Sequence, residues 1–198
     1  MVTRRPPLYV CFVLLVSVYV IAGKFGLSMA FFHASASAVW PPAGIALAAL
    51  ILWGIELWPA VFIGAFLVNF TTSGSSAATI TIAAGNTLES VLAAWLIRRH
   101  AAGPYVFRSA QTIFKFALIT LGAALVSSTI GVTSLLLSGL AAWHFLGHIW
   151  LTWSLGDLVG AWILVPLIVL WATEPRPSFR PRRLLESGLL LATVVGVG

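Results

Sequence analysis

Hydrophobic residues occur along this chain in long continuous runs, and most charged residues lie in the short segments between those runs. The runs are roughly 16 to 25 residues long, which is close to the length that an α-helix needs to cross a bilayer. We therefore predict an all-α fold, a polytopic transmembrane helical bundle. Its six complete spans are expected at about 8–28, 38–53, 57–70, 77–97, 113–137 and 144–171, and a truncated seventh begins near Leu184.

The composition agrees with this pattern. Hydrophobic residues make up 60% of the chain and charged residues 8%, and the mean hydropathy is +1.04, which excludes an ordinary water-soluble domain. A transmembrane β-barrel is excluded as well, because its strands alternate between apolar and polar residues. Cys11 is the only cysteine, so no internal disulfide and no paired-cysteine site forms. Nucleotide-binding loops and nucleophile elbows are absent, and we predict that the chain is not an enzyme.

The lysine and arginine residues flank the apolar runs and do not form a separate basic domain, so we predict no nucleic acid partner. An even number of predicted spans separates each basic cluster from the next. The positive-inside rule then places the N-terminus in the cytoplasm, with only Lys24 outside the cytoplasmic segments. The cytoplasmic basic residues are Arg4, Arg5, Arg98, Arg99, Arg108, Lys115, Arg176, Arg180, Arg182 and Arg183.

Two carboxylates are predicted to lie inside the bilayer, Glu89 in the fourth span and Asp157 in the sixth. A charge at the bilayer centre costs about 2.5 to 3.5 kcal/mol on insertion scales, so each of these groups needs a partner or a role. Asn86 precedes Glu89 by three residues and shares its helix face. We predict an intramembrane polar pocket that binds a ligand, formed by Asn86, Glu89 and Asp157 together with Asn69 and Lys24.

A purely structural interpretation of these polar groups is also open. Interhelical hydrogen bonds contribute about 0.6 kcal/mol each on average, and the hydroxyl-rich stretch 127–134 of the fifth span could supply them. We favour the pocket, because two carboxylates in mid-membrane exceed what packing requires. Lys24 is either a counter-charge for the acids or a side chain that reaches the outer interface, and its place near the end of its span favours the second interpretation.

Glu89 and Asp157 are expected at a similar depth, roughly 12 and 13 residues from the external ends of their spans, so they can approach each other laterally. Two nearby carboxylates in a low dielectric do not both ionise readily. At least one is therefore expected to carry a proton unless Lys24 neutralises the pair. Such a pair suits a switch that responds to protonation, or to a cationic or hydrogen-bonding ligand.

A structural motif precedes the second span, where Trp40 is followed by Pro41, Pro42 and then Gly44. We interpret the tryptophan as an interfacial anchor and the prolines as a rigid start of the helix. Trp58 and Pro59 repeat the pattern before the third span, which predicts a tight hairpin of two short spans. In the sixth span, Gly156 and Gly160 provide a surface on which another helix can pack closely.

His144 and His148 are four residues apart, the spacing of a zinc-binding pair on a helix. A third ligand is missing, since Asp157 falls on roughly the opposite helix face. We interpret the two histidines, with Trp143 and Trp150, as part of an interfacial belt. No metal site and no cofactor are predicted.

Several segments together resemble the membrane-associated sensor domain, type one, of the MASE family. They are 40–46, the pair 58–59 with 64–69, 83–89, 129–133, and Trp153 with Gly156 and Asp157, followed by 166–167. The resemblance extends from about residue 10 to 175. It implies a multi-pass sensor of the bacterial plasma (inner) membrane that precedes a histidine kinase, a PAS module or a diguanylate cyclase, as in two-component signal transduction.

We therefore predict one integral membrane sensor domain, residues 1–198, truncated at its C-terminal end. It is expected to regulate a cytoplasmic output module that this chain lacks. Its expected partners are the lipid bilayer and either a second copy in a homodimer or another membrane protein. A small-solute or proton transporter is the main alternative, because intramembrane acids also mark transport routes. An intramembrane enzyme is disfavoured, because no nucleophile or metal set accompanies the acids.

The topology can be checked by labelling single cysteines introduced at Thr3, Ser75, Ala102 and Gly139. We expect Thr3 and Ala102 to react only from the cytoplasmic side and the other two only from outside, because ten of the eleven basic residues then lie inside. Labelling of Ala102 from outside would overturn the predicted orientation.

Overall fold

The computed structural model describes residues 6–30, 37–73 and 76–173. This part of the chain is helical and contains no β-strand, which confirms the all-α prediction for the described residues. The predicted seventh run near Leu184 lies outside them. The helices are α1 Leu8–Ser28, α2 Pro41–Trp53, α3 Trp58–Ser73, α4 Ser76–His100, α5 Ala110–Leu137 and α6 Leu146–Thr173, with short 3-10 turns at Ile55–Leu57, Gly103–Arg108 and Trp143–Phe145.

Five segments are long and apolar enough to cross a membrane, and α2 is the exception among the described helices. It has 13 residues. At 1.5 Å per residue it is about 20 Å long, whereas the hydrocarbon core of a bilayer is about 30 Å thick. The expectation of six complete helical spans therefore needs correction, because α2 alone does not reach across the membrane.

The helices do not pack in the order of the sequence. Helix α2 packs against α1, α4 and α6, whereas α3 packs against α1 and α4, and α5 against α4 and α6. Although only 54–57 separate α2 from α3, these two helices barely contact each other. The predicted tight hairpin is therefore not a packed pair, because α1 and α4 each contact both of its helices.

Side-chain contacts define the two ends of the bundle. At one end, the Arg98 guanidinium donates to the carbonyl oxygen of Leu50 at 3.4 Å, and the Lys115 ammonium donates to that of His100 at 3.1 Å. These contacts bring together the last turns of α2 and α4 and the second turn of α5, and we name this the basic end. At the opposite end, the Lys24 ammonium donates to the Thr72 hydroxyl at 2.9 Å.

Helix α2 begins in the interior of the bundle, beside the middle third of α6. The backbone N–H of Trp40 donates to the carbonyl oxygen of Gly156 at 3.0 Å. A Cβ atom on Gly156 would overlap the Ser37 carbonyl, and one on Gly160 would overlap the Trp40 carbonyl. The two glycines predicted to allow close packing therefore receive the chain that leads into α2, and α2 runs from there to the basic end.

The doubled proline has a direct explanation at this depth. The first N–H groups of a helix lack partners within it, and an unpaired N–H in hydrocarbon costs several kcal/mol. Pro41 and Pro42 are the first two residues of α2 and have no N–H. The N–H of Ala43 donates to the Trp40 carbonyl oxygen at 3.2 Å, and that of Trp40 is paired with Gly156. The N–H groups of Trp40 and Ala43 are thus paired, and the two positions between them have no N–H to pair.

Trp40 is not the interfacial anchor predicted from the sequence. It is only 7% exposed, and its indole packs against Gly23 and Gly26 of α1. The prediction was wrong because it placed the start of α2 at the membrane boundary, whereas α2 starts inside the bundle. Trp58 begins α3 and is 48% exposed, as a residue at the interface would be.

Replacement of both Pro41 and Pro42 by alanine is expected to destabilise the protein. The change adds two N–H groups in the bundle interior, and each buried N–H without an acceptor costs about 1–3 kcal/mol. Thermal unfolding in detergent measures the effect, and Pro59→Ala at the start of α3 is the matched control. Equal melting temperatures for the double variant and the control would contradict this explanation.

The glycine contact between α2 and α6 gives a second test. In Gly160→Ala the added methyl group meets the Trp40 backbone, so we expect a clear fall in melting temperature. Gly122→Ala is the control, because a Cβ atom there meets no neighbouring atom within 4 Å. That control should be neutral or should stabilise by up to about 1 kcal/mol from helix propensity. A tolerated alanine at 160 would show that the close approach is not required.

Candidate functional site

Five polar side chains from four helices meet in the interior of the bundle. They are Tyr19 of α1, Asn86 and Glu89 of α4, Ser127 of α5 and Asp157 of α6, and we name them the central cluster. None is more than 7% exposed, and Asp157 is completely buried. Each lies near the middle of its helix, so the cluster occupies the mid-depth of the bundle.

The spacing along α4 explains why two members come from one helix. Asn86 and Glu89 are three residues apart and therefore share a face. The Ser127 hydroxyl lies 3.0 Å from the Asn86 amide oxygen and links α4 to α5. On α6, Trp153 precedes Asp157 by one turn, and its ring lies on Gly131 of α5. Close packing of the three helices thus brings the side chains together.

Tyr19 belongs to the cluster but was not predicted from the sequence. Its hydroxyl lies beside the Asn86 amide and the Trp40 indole, and Glu89 and Asp157 are close enough to interact with it electrostatically. Gly64 of α3 allows the tyrosine to sit there, because a Cβ atom at that position would press on it. The available signal was the spacing of Cys11, Leu15 and Tyr19, which marks the buried face of α1.

The two acids are direct neighbours. The Glu89 carboxyl group adjoins that of Asp157, and Ser127 lies beside both. Trp153 lies beside Asp157 on the same helix. The structure thus brings together Asn86, Glu89 and Asp157, three of the five residues predicted to form the intramembrane pocket.

Hydrogen bonding in the cluster is incomplete. Neither carboxylate oxygen of Asp157 has a donor at hydrogen-bonding geometry, and the amide nitrogen of Asn86 has no acceptor. No lysine, arginine or histidine is among the described groups that act on Glu89 or Asp157. A buried carboxylate without donor or counter-charge is costly, so this arrangement is not explained by packing alone.

Two of the predicted pocket residues lie elsewhere. The Lys24 ammonium donates to Thr72 and to the carbonyl oxygen of Val68, at the end of the bundle opposite the basic end. Asn69 is buried, and its amide donates to the Ala65 carbonyl oxygen of its own helix at 2.9 Å. Neither is among the groups that interact with the two acids. Lys24 therefore does not act as their counter-charge in this structure.

Three residues of the predicted structural motifs, Trp40, Gly44 and Gly156, pack next to the central cluster. Gly156 is the neighbour of Asp157 and contacts the segment before α2, while Gly44 of α2 lies against the backbone of Gly160. Trp40 connects the contact between α2 and α6 with the central cluster, because its backbone is bonded to Gly156 and its indole lies beside Tyr19. The start of α2 is therefore linked to the acid pair through Gly156 and Tyr19.

A groove of about 470 Å³ between α4 and α5 is the second candidate site. It lies away from the basic end and is lined by small and hydroxyl-bearing residues, among them Thr81, Thr129 and Ser134. The Thr129 and Ser134 hydroxyls already donate to backbone carbonyls, at 2.6 and 3.3 Å. The groove carries no charged group, so the central cluster is the stronger candidate.

The fold and the cluster define a polytopic helical membrane protein with an uncompensated acid pair in its interior. The family model MASE1, a membrane-associated sensor domain, matches residues 11–197. The chain belongs to this family, which confirms the resemblance seen in its motifs. Neither a curated protein nor a solved structure matches the chain.

Proposed function

We propose that this chain is a sensory domain of the bacterial plasma membrane that regulates a cytoplasmic output module of the histidine kinase or diguanylate cyclase type. Membership of a membrane sensor family supports the sensory role. The segregation of arginine and lysine supports an orientation with the basic end in the cytoplasm. The output module is either attached to this domain or supplied by a partner.

The observation that carries the proposal is the pair of adjacent buried acids, Glu89 and Asp157. Hydroxyl and amide groups would suffice to join the helices, and each such bond contributes only about 0.6 kcal/mol. Two adjacent buried acids destabilise the bundle, whereas such bonds stabilise it, unless a ligand binds to the acids or their charge changes. Intramembrane acids are therefore candidates for functional groups, and here they form the element that responds.

Helix α2 is the element that transmits the response. Its first turn touches the surroundings of the cluster through Trp40, and its last turn is bonded to α4 through Leu50 and Arg98. A change of charge or of bound ligand at the acid pair alters the repulsion between α4 and α6, which flank α2. A shift of α2 then reaches the basic end, where the output module would be attached.

The test uses a protein that carries this domain ahead of its own diguanylate cyclase or kinase. Glu89→Gln and Asp157→Asn keep the side-chain shape and remove one acid each. We expect both to lock the output activity in one state, with at least a severalfold change from the unmodified protein, and to leave membrane insertion intact.

Glu56→Gln is the matched control, because Glu56 lies in the turn before α3 and outside the central cluster. We expect the control to signal normally. Normal signalling by both cluster variants would show that the two acids are not needed for regulation and have only a packing role.

A small-solute or proton transporter is the second candidate, and one observation favours it. Transporters bind their substrates near the bilayer midplane, at helices that are broken or begin there. Helix α2 begins at mid-depth beside Asp157. Proteoliposomes that hold a pH gradient distinguish the two functions, since a sensor leaves the gradient intact and a proton transporter dissipates it.

A further inference from the structure

The hydrogen bonds of the central cluster can be assigned by counting protons, starting from Ser127. Its hydroxyl carries one proton and lies beside three acceptors, the Asn86 amide oxygen at 3.0 Å and the carboxyl groups of Glu89 and Asp157. A carboxylate is the stronger acceptor, because hydrogen bonds to a charged group are roughly twice as strong as neutral ones. Because neither oxygen of Asp157 has a donor at hydrogen-bonding geometry, the Ser127 proton is assigned to Glu89.

This assignment decides the orientation of the Asn86 amide. The oxygen and nitrogen of an amide are placed by the hydrogen bonds that they make. If Ser127 donates to Glu89, the nitrogen of Asn86 faces Ser127 and donates to it, so it is no longer unpaired. The amide oxygen then faces the Tyr19 hydroxyl, which lies beside this amide.

The remaining donors continue the chain in one direction. The indole N–H of Trp40 is that residue's only polar side-chain group, and it lies beside the Tyr19 hydroxyl. The assigned direction then runs from Trp40 to Tyr19, on to Asn86 and Ser127, and ends at Glu89. Every donor in this chain is used before Asp157. The indole of Trp153 lies beside Asp157 as a further donor, but neither oxygen of Asp157 has a donor at hydrogen-bonding geometry.

We propose that Glu89 and Asp157 form a binding site for one exchangeable proton, held between their carboxyl groups. The proton sits on one carboxyl group and donates to the other, which supplies a hydrogen bond that the chain of donors does not provide. The pair then carries one negative charge instead of two. The inference rests on the proposed function and deepens it, since the bound proton is the species that the domain senses.

Among the residues that the structure describes, no other titratable group lies near enough to replace the proton. Helices α2 and α3 contain no ionisable side chain, and α5 contains only Lys115, which is bonded at the basic end. Helix α1 contributes Tyr19, and its other titratable groups lie toward its two ends: Tyr9 and Cys11 near its start and Lys24, bonded to Thr72, near its end. The basic residues of α4 are in its last turn, and His148 of α6 is two turns from Asp157. Within residues 6–30, 37–73 and 76–173 no side chain is placed to neutralise the pair, and a proton or a cation from solution can do so.

Infrared spectroscopy of the protein in lipid bilayers tests the proposal. A protonated carboxylic acid has its own C=O stretching band, which shifts in D2O if the proton exchanges. At neutral pH exposed carboxyl groups are ionised, because their ordinary pKa is about 4. We expect one such band per chain, and we expect Glu89→Gln and Asp157→Asn each to abolish it. The introduced amide N–H donates to the remaining carboxylate and takes the place of the proton.

Two further variants complete the experiment. Glu56→Gln removes an acid outside the cluster and should leave the band unchanged. Tyr19→Phe interrupts the donor chain and keeps both acids, so the band should persist at a shifted frequency, even if the acid variants fail to fold. A band at the unshifted frequency in Tyr19→Phe would overturn the assigned chain.

Two results would overturn the shared proton. One is the absence of the band from the unmodified protein, or its persistence in both acid variants. The other is a shift of the carboxylate bands when Na⁺ replaces K⁺ in the buffer. Such a shift would assign the site to a metal cation. Either result leaves the regulation experiment unaffected, because that experiment measures the activity of the output module.

Discussion

The need to pair every backbone N–H and C=O group inside a membrane governs this structure. A helix that begins in the bundle interior would normally expose unpaired N–H groups to a medium without water. Here two prolines remove the first two donors of α2, and the Trp40 N–H finds an acceptor on Gly156. That bond requires the backbones to touch, and only glycine at 156 and 160 leaves the space. The position of α2 thus depends on a small number of residues that act together.

The central cluster depends on the same contact. Gly156 is followed directly by Asp157, so the surface of α6 that receives α2 also sets the depth of the acid. Trp40 extends from this contact to α1, where its indole lies between the glycines of that helix and Tyr19. A polar group that is only partly hydrogen-bonded is expensive in a low dielectric. A pair of acids persists at such a place because the packing around it is independently stable.

A sensor needs an element whose two states differ little in free energy, and a partly satisfied polar site inside a well-packed bundle meets this requirement. A change of one charge in a low dielectric alters the interaction between neighbouring helices far more than the same change in water. Half-length helices such as α2 are anchored at one end in the interior and at the other near the surface. They can therefore shift when the interaction between the neighbouring long helices changes.

The sequence by itself determined the local features of the protein. Long apolar runs defined the helices, the prolines marked the first residue of α2, and the spacing of Asn86 and Glu89 indicated a shared face. These inferences succeed because length, proline and helical periodicity act within one segment. The tertiary structure decided which segments meet. It buried Trp40, brought Tyr19 to the acids, placed Lys24 on Thr72 and started α2 in the bundle interior. Such contacts join residues far apart in the chain, and they follow from packing between helices, which no local pattern encodes.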